Sequence, residues 1–203
     1  MTPRVESGTY DEAVAQVAGM AKEAFATHEL WGLGRDEWNC QRASGSSIYA
    51  FHVISRPGYL IVFGDIGDWV LQASERNMVY WAMGAVRSPS YFCEKIRAGE
   101  RLAFYSGEAR AIVEEGLKGN EDMGLTKEQA EKVNDAISSW DELDQREWYE
   151  ACIDAGDDEP ALCEYPSPRA LWLIEAMKWF CAQIAERDRL ADEDAALAAA
   201  GAA

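Results

Sequence analysis

Residues 47–73 read SIYAFHVISRPGYLIVFGDIGDWVLQA, and this stretch decides the fold. Its three runs of β-branched and aromatic residues are separated by two turn signals, Arg56-Pro57-Gly58 and the segment from Gly64 to Asp68. Pro suits one central turn position and Gly the next, so the turns join neighbouring strands in antiparallel order. A fourth run precedes them at 38–42. The sequence predicts a small antiparallel meander of about four strands, one face of which must be covered.

Helical patterns flank this sheet. Thr9-Tyr-Asp-Glu12 is a capping box, and it predicts an N-terminal helix from about residue 10 to residue 29, closed before a loop at Gly32 and Gly34. The expected later helices span about residues 78–86, 89–96, 106–117, 127–137, 141–154 and 168–189. We therefore expect an α+β protein. Residues 1–101 form the helix-packed sheet, and residues 102–203 form an acidic all-helical region packed on it as one compact unit.

Charge is unevenly distributed along the chain. The 203 residues hold 19 Lys and Arg against 36 Asp and Glu, a net charge of −17. Residues 1–101 contain 10 basic and 12 acidic side chains, whereas residues 102–203 contain 9 basic and 24 acidic ones. Nearly all of the negative charge therefore belongs to the second half, which indicates an acidic interaction surface there.

Composition excludes several classes of protein. A content of 48% hydrophobic and 11% aromatic residues is too high for a disordered chain. No apolar run is long enough to span a membrane, and no apolar segment follows the N-terminus, so no secretory signal is expected. The five cysteines are odd in number and widely spaced, which favours reduced thiols and a cytoplasmic location. The acidic charge disfavours direct binding to nucleic acid or to anionic membranes.

Catalytic and metal-binding patterns are weak. The turn at Gly64–Asp68 holds two carboxylates, Asp65 and Asp68, too few for a calcium loop. The two histidines, His28 and His52, show no zinc-ligand spacing with Cys40. No phosphate-binding or nucleophile motif occurs. We expect no cofactor and no metal, and an enzyme with its site at this turn remains an alternative.

The densest acidic segment runs from residue 141 to residue 164, where ten carboxylates face one basic residue, Arg146. Ordinary solvated helices alternate charge signs, so a field of one sign favours a basic partner. Trp140 and Trp148 lie within or beside this run and are candidate interface anchors, although inward packing is the alternative for each. The candidate partner-binding residues are Trp140, Asp141, Glu142, Asp144, Glu147, Trp148, Glu150, Asp154, Asp157, Asp158 and Glu159.

The sheet segment also carries three spaced motifs. They are Trp38-x-Cys40-x-Arg42, Tyr49-x-Phe51-x-Val53 and Arg56-Pro57-Gly58-x-Leu60-Ile61-Val62-x-Gly64-Asp65-Ile66-Gly67-Asp68. With this pattern the segment from Trp38 to about Trp81, under a quarter of the chain, resembles small accessory proteins encoded by phages and prophages. The resemblance implies no catalytic residue. It implies an anti-defence role, such as that of anti-CRISPR proteins.

The leading hypothesis is a non-enzymatic inhibitor that occupies the basic nucleic-acid channel of a host defence complex in the manner of a DNA mimic. The small enzyme with a site at Gly64–Asp68 is one alternative. A structural or adaptor protein that binds through its sheet edge or C-terminal helix, with self-association included, is the other.

Overall fold

The computed structural model describes residues 8–120, 122 and 124–201. It is an α+β protein, and its elements follow one another along the chain. They are α1 (Tyr10–Phe25), β1 (His28–Gly34), β2 (Glu37–Arg42), β3 (Phe51–Arg56), β4 (Tyr59–Gly64), β5 (Trp69–Gln72), α2 (Met78–Ala85), α3 (Pro89–Glu94), β6 (Ile96–Ala98), β7 (Leu102–Phe104), α4 (Ser106–Leu117), α5 (Lys127–Ala136), α6 (Gln145–Asp154), β8 (Glu164–Pro166) and α7 (Pro168–Gly201).

These elements form two compact units. Among the described residues, the first unit comprises 17–101 and 169–201, and the second comprises 8–16 and 102–168. A boundary falls after residue 101, where the sequence also divides the chain. The long helix α7, however, belongs almost entirely with the sheet, and α1 is divided between the two units.

The first unit contains a six-stranded antiparallel sheet in the order β1-β2-β3-β4-β5-β6. The four expected strands are present as β2 to β5. The expected count of about four is nevertheless too low, because β1 and β6 extend the sheet at its two edges. Both were expected to be helical or loop segments. Pairing with β2 and β5 overrides the local preference of these segments, which are short or rich in glycine.

Alternation along the strands separates the two faces of this sheet. On the inner face Phe51, Val53, Leu60 and Val62 are fully buried. Helices cover this face, as ring contacts show: Phe25 of α1 meets Phe51 at 5.9 Å. Trp38 of β2 likewise meets Phe180 of α7 at 5.4 Å. The outer face holds half-exposed or exposed side chains on the same strands.

The second unit is helical but not wholly so. The strands β7 and β8 form a separate two-stranded antiparallel sheet, which corrects the all-helical expectation for residues 102–203. Sequence reasoning missed both strands because each is three residues long and its partner lies about 60 positions away. The Tyr105 hydroxyl donates to the Pro166 carbonyl at 2.8 Å beside this pair.

Helices α4, α5 and α6 surround one hydrophobic cluster in the second unit. It consists of Ala109, Ile112, Val113, Leu125, Ala130, Val133, Ile137, Leu143, Trp148, Ala151, Cys152, Ala155 and Cys163. Local sequence signals define where the helices begin. Thr126 and Gln129 form a complete capping box at α5. Asp144 caps α6 by accepting from the Glu147 amide at 2.8 Å, so this helix begins at Gln145 and not at residue 141.

Candidate functional site

The acidic segment 141–164 lies at the surface of the second unit. Seven of its ten carboxylates are exposed, and Glu147, Asp157 and Glu164 are half-exposed. The segment enters α6 through a loop, leaves it at residue 154 and ends in β8. None of the predicted acidic residues is buried, so all ten are placed where a partner could reach them.

Half of these carboxylates bind groups within the chain. Asp144 caps α6, as described above, and Asp157 accepts from the Glu159 amide at 3.1 Å. Two more carboxylates form ion pairs: Arg110 Nη2 lies 3.4 Å from Asp141 Oδ1, and Arg146 Nε lies 2.8 Å from Glu150 Oε1. The side-chain amide of Gln145 donates to Glu164 Oε1 at 2.7 Å. These carboxylates therefore contribute to the fold of the segment as well as to its charge.

The other half have no hydrogen bond or ion pair to any described residue. We call them the unpaired carboxylates: Glu142, Glu147, Asp154, Asp158 and Glu159. Glu147 lies in the first turn of α6, where the helix dipole favours a negative charge. Asp154 is the last residue of α6, where the dipole disfavours one. The helix dipole therefore accounts for Glu147 but not for Asp154, whose charge has no stabilising partner in the fold.

Trp148 does not have the position of a surface anchor. Its side chain is 1% exposed, lies in the hydrophobic cluster and donates its indole N–H to the Ala161 carbonyl at 2.8 Å. The structure therefore confirms the alternative raised for Trp148, which is inward packing. Trp140 is half-exposed, packs against the cluster, and has the Arg110 guanidinium over its ring at 5.5 Å.

Three exposed apolar side chains within the acidic segment escaped sequence reasoning. Tyr149 and Ile153 lie four residues apart on α6, and Leu162 follows the helix. A helical wheel could have found the first two. Trp148, Ala151 and Cys152 are buried on one face of α6, and the opposite face must then carry Tyr149 and Ile153. An aromatic and a branched aliphatic side chain surrounded by carboxylates have the composition of an interface hot spot.

The turn from Gly64 to Asp68 makes structural contacts. Asp65 accepts a hydrogen bond from the Tyr49 backbone N–H at 3.1 Å. Gly64 has a φ of 134°, and a Cβ there would lie 2.5 Å from the Ala50 carbonyl oxygen. The Ile66 carbonyl accepts from the Trp69 indole at 3.0 Å. His52 stacks on Phe63 with 4.9 Å between ring centroids. These contacts give Gly64, Asp65 and Ile66 structural roles in the turn.

The five cysteines are free and buried. Burial raises the pKa of the Cys93 thiol to about 11 and the pKa values of Cys152, Cys163 and Cys181 to about 12, and it raises that of Cys40 as well. A thiol that stays protonated is a poor nucleophile and a poor metal ligand. In the part of the chain that the structure describes, no group of three or more His, Cys, Asp or Glu side chains is arranged to hold a metal ion.

Comparison with known proteins identifies no relative: no protein-family model, curated protein or solved structure matches this chain. Within the described residues, no helix is both long enough and apolar enough to cross a membrane.

Proposed function

We propose that the protein is a non-enzymatic binding protein whose acidic surface on segment 141–164 docks onto a strongly basic surface and excludes nucleic acid from it. The five unpaired carboxylates carry this proposal. Residues 102–168 hold 18 acidic and 5 basic side chains, so these carboxylates repel one another in the free protein. A partner rich in Lys and Arg would turn that repulsion into attraction and would speed association.

Tyr149 and Ile153 replace Trp148 as the anchors in this proposal. Charge alone gives long-range steering, whereas affinity at protein interfaces comes mainly from a few apolar and aromatic side chains at the centre of the contact. The exposed face of α6 offers both kinds of group within one helical turn. Trp140 lies beside the same surface but already has Arg110 over its ring.

The partner class follows from the same chemistry. Basic channels that hold nucleic acid are the strongest positive surfaces that proteins present. The resemblance of the sheet segment to phage accessory proteins suggests a CRISPR-type defence complex in the host cytoplasm as the particular partner. The protein would then act as a DNA mimic.

Competition for target DNA tests the proposal. A panel of CRISPR complexes loaded with guide RNA is titrated with the protein while binding of labelled target DNA is measured. We expect the wild-type protein to displace the DNA from at least one complex. Raising the salt from 50 to 500 mM should weaken direct binding of the protein to that complex, measured without DNA, at least tenfold, because salt screens the attraction between the two charged surfaces. A Kd for the complex that does not change with salt would overturn the electrostatic mechanism.

Two matched variants locate the surface. One carries Glu142→Gln, Glu147→Gln, Asp154→Asn, Asp158→Asn and Glu159→Gln. The control carries Glu29→Gln, Glu75→Gln, Glu94→Gln, Asp192→Asn and Asp194→Asn, five exposed carboxylates of the first unit. Both variants change the net charge by the same amount. We expect only the first to lose inhibition, and equal losses would show that total charge acts and not this surface.

The adaptor alternative is supported by a different observation. The edge strand β1 exposes Trp31 and Leu33, and an edge strand with apolar side chains can pair with another chain. Size-exclusion chromatography with light scattering tests self-association of this kind. A dimer that the Trp31→Glu variant converts to a monomer would favour the adaptor function, and a monomeric wild-type protein would count against self-association through this edge.

A further inference from the structure

Unpaired buried polar atoms cluster at one place in the first unit. Within the described residues, the buried Nε of Arg42 and Nε1 of Trp172 have no hydrogen-bond partner, whereas the ring of His28, which forms no hydrogen bond of good geometry, has the backbone of Ala24, Ile48 and Tyr49 beside it. Buried polar groups are nearly always paired, so each exception needs an explanation. Arg42 and Trp172 line the same cleft, and His28 is the direct strand partner of Arg42 across β1 and β2. The two exceptions, Arg42 Nε and Trp172 Nε1, therefore belong to the lining of one cleft.

The cleft has a volume of about 400 Å³, which is in the range of small-molecule sites. It lies in the first unit and is lined by Met20, Glu23, Ala24, Arg42, Tyr49 and Trp172. The rings of Tyr49 and Trp172 meet edge to face with 5.2 Å between their centroids. The lining therefore combines an aromatic and aliphatic wall with hydrogen-bond donors.

Arg42 is half-buried, and charged groups taken out of water are usually paired. Its guanidinium nonetheless has no ion pair with any described residue. Glu23 lines the same cleft but is not within ion-pair distance of it. A half-buried arginine without a carboxylate has donors to offer to an anion. Trp172, which is 1% exposed, adds a second type of donor that cannot accept a hydrogen bond.

The positive charge of this cluster belongs to Arg42, because the neighbouring His28 is uncharged. The imidazole is 7% exposed and packs edge-on against Phe25 at 5.1 Å. Burial lowers its pKa below the usual value of 6.5, with a smaller contribution from Arg42 in the same direction. The ring is therefore neutral at pH 7, and its attraction for an anion is limited to an N–H dipole.

Tyr49 is held over the cleft in an unusual backbone conformation. Its φ is 61°, a left-handed value that is rare for a bulky residue. The carboxylate of Asp65 stabilises this conformation by accepting the Tyr49 N–H at 3.1 Å. Backbone strain of this kind concentrates at ligand-binding positions. Asp65, a residue of the Gly64–Asp68 turn, thus acts as a positioning residue for the wall of the cleft.

We propose that this cleft binds a small monocarboxylate with an apolar or aromatic body. The carboxylate accepts from the Arg42 guanidinium, and the body lies against Trp172, Tyr49 and Met20. The Arg42 Nε and the Trp172 indole N–H are buried, so a lining side chain must move before a ligand reaches them. Glu23 on the lining repels a second negative charge, so the cleft prefers a monoanion to phosphate.

Calorimetric titration with benzoate tests the proposal, with acetate, inorganic phosphate and benzylammonium as comparison ligands. We expect benzoate to bind the full chain with a Kd below about 1 mM and more tightly than the other three. Acetate lacks the body, phosphate carries extra charge, and benzylammonium has the body with the opposite charge. No benzoate binding at 10 mM, or equal binding of benzylammonium or phosphate, would overturn the proposal.

Substitutions identify the groups that bind benzoate. Arg42→Gln should weaken binding at least tenfold. Trp172→Phe, which keeps an aromatic ring and removes the N–H, should weaken it by about 3- to 10-fold, the usual range for one hydrogen bond. Arg56→Gln removes an exposed cation of the same sheet and should change the Kd less than twofold. Unchanged affinity in Arg42→Gln would contradict the proposal.

Glu23→Gln protects the test against misfolding, because Glu23 is exposed. This variant should bind benzoate about two- to threefold more tightly and should narrow the preference over phosphate, since one repulsive charge is removed. If both ligands bind Glu23→Gln as they bind the wild-type protein, the cleft does not hold the anion.

Discussion

The two units of this protein differ sharply in charge. In the sequence, residues 17–101 and 169–201 of the first unit contain 13 basic and 15 acidic side chains, and residues 8–16 and 102–168 of the second contain 5 basic and 20 acidic ones. Both regions nevertheless bury a well-formed core, the sheet and its helices in one case and the α4–α6 cluster in the other. The difference teaches that the acidic charge is not a requirement of folding. It is concentrated in one unit, where we propose that it serves to bind a basic partner.

The largest expected effect concerns the core of the acidic unit. Trp148→Ala should lower the free energy of unfolding by about 3–5 kcal/mol, because it removes a large fully buried side chain and its hydrogen bond to Ala161. Urea denaturation followed by circular dichroism measures the change. Trp31→Ala in the first unit is the control, since Trp31 is 50% exposed and should cost less than about 1 kcal/mol. A Trp148→Ala protein as stable as the control would contradict the buried position of the ring.

The second-largest expected effect is a pH dependence of the free energy of unfolding that comes from His28 in the first unit. Because burial lowers the pKa of His28, the unfolded chain binds more protons than the folded chain just below pH 6.5. The stability that comes from neutral His28 is therefore complete above pH 6.5 and is lost as the pH falls from there toward the folded pKa. One group limits this slope to about 1.4 kcal/mol per pH unit.

Denaturation between pH 7.5 and pH 5 measures the effect of His28. His28→Gln should flatten the pH dependence, while His52→Gln removes the other histidine of the chain for comparison. If His28→Gln and the wild-type protein lose stability in parallel as the pH falls, the buried ring is not the source of the slope.

Helix caps should matter equally in both units despite their different charge. Thr126→Ala breaks the capping box of α5 in the acidic unit, and Asn77→Ala removes the cap of α2 in the first unit. Each should cost about 1 kcal/mol, because each leaves backbone N–H groups without an acceptor. Thr126→Ser, which keeps the hydroxyl, should restore most of the loss in urea denaturation. If only one of the two substitutions lowers the free energy of unfolding, the tertiary surroundings and not the local hydrogen bonds determine how much a cap contributes.

The smallest effect is expected for surface ion pairs. In the first unit, Arg56 Nη2 lies 2.6 Å from Glu37 Oε1, and both side chains are about half exposed. In the second unit, Arg110 Nη2 lies 3.4 Å from Asp141 Oδ1. Double-mutant cycles should give a coupling of about 0.5 kcal/mol or less for each pair, and this coupling should fall further in 0.5 M salt. A coupling above about 2 kcal/mol for Arg110–Asp141 would mean that the acidic unit depends on this pair for its fold.

Much of the secondary structure could be predicted from local signals. The two turns at Arg56–Gly58 and Gly64–Asp68 predicted the central strands, and the capping box at Thr126 predicted α5. The strands β1, β6, β7 and β8 could not be predicted, because their stability comes from partners and not from their own residues. α6 begins four residues later than expected because Asp144 caps it and does not belong to its first turn.

The candidate sites show the same division. The acidic segment could be recognised from a count of charges. Its anchors were predicted to be Trp140 and Trp148, whereas Trp148 is buried and Tyr149 and Ile153 are the exposed apolar side chains of α6. The cleft could not be found at all. Its residues come from positions 20, 42, 49 and 172, and nothing in their local spacing indicates that they meet.

By itself, the sequence determined the features that depend on neighbouring residues: the order of the central strands, the caps of the helices and the concentration of carboxylates in residues 141–164. These follow from turn chemistry, hydrogen bonds three residues apart and simple charge counts. Only the tertiary structure decided that Trp148 is buried, that β1 and β6 complete the sheet, and that Arg42 and Trp172 line the same cleft. Such features depend on which distant segments exclude water together, and that is a property of the packed chain and not of any one segment of it.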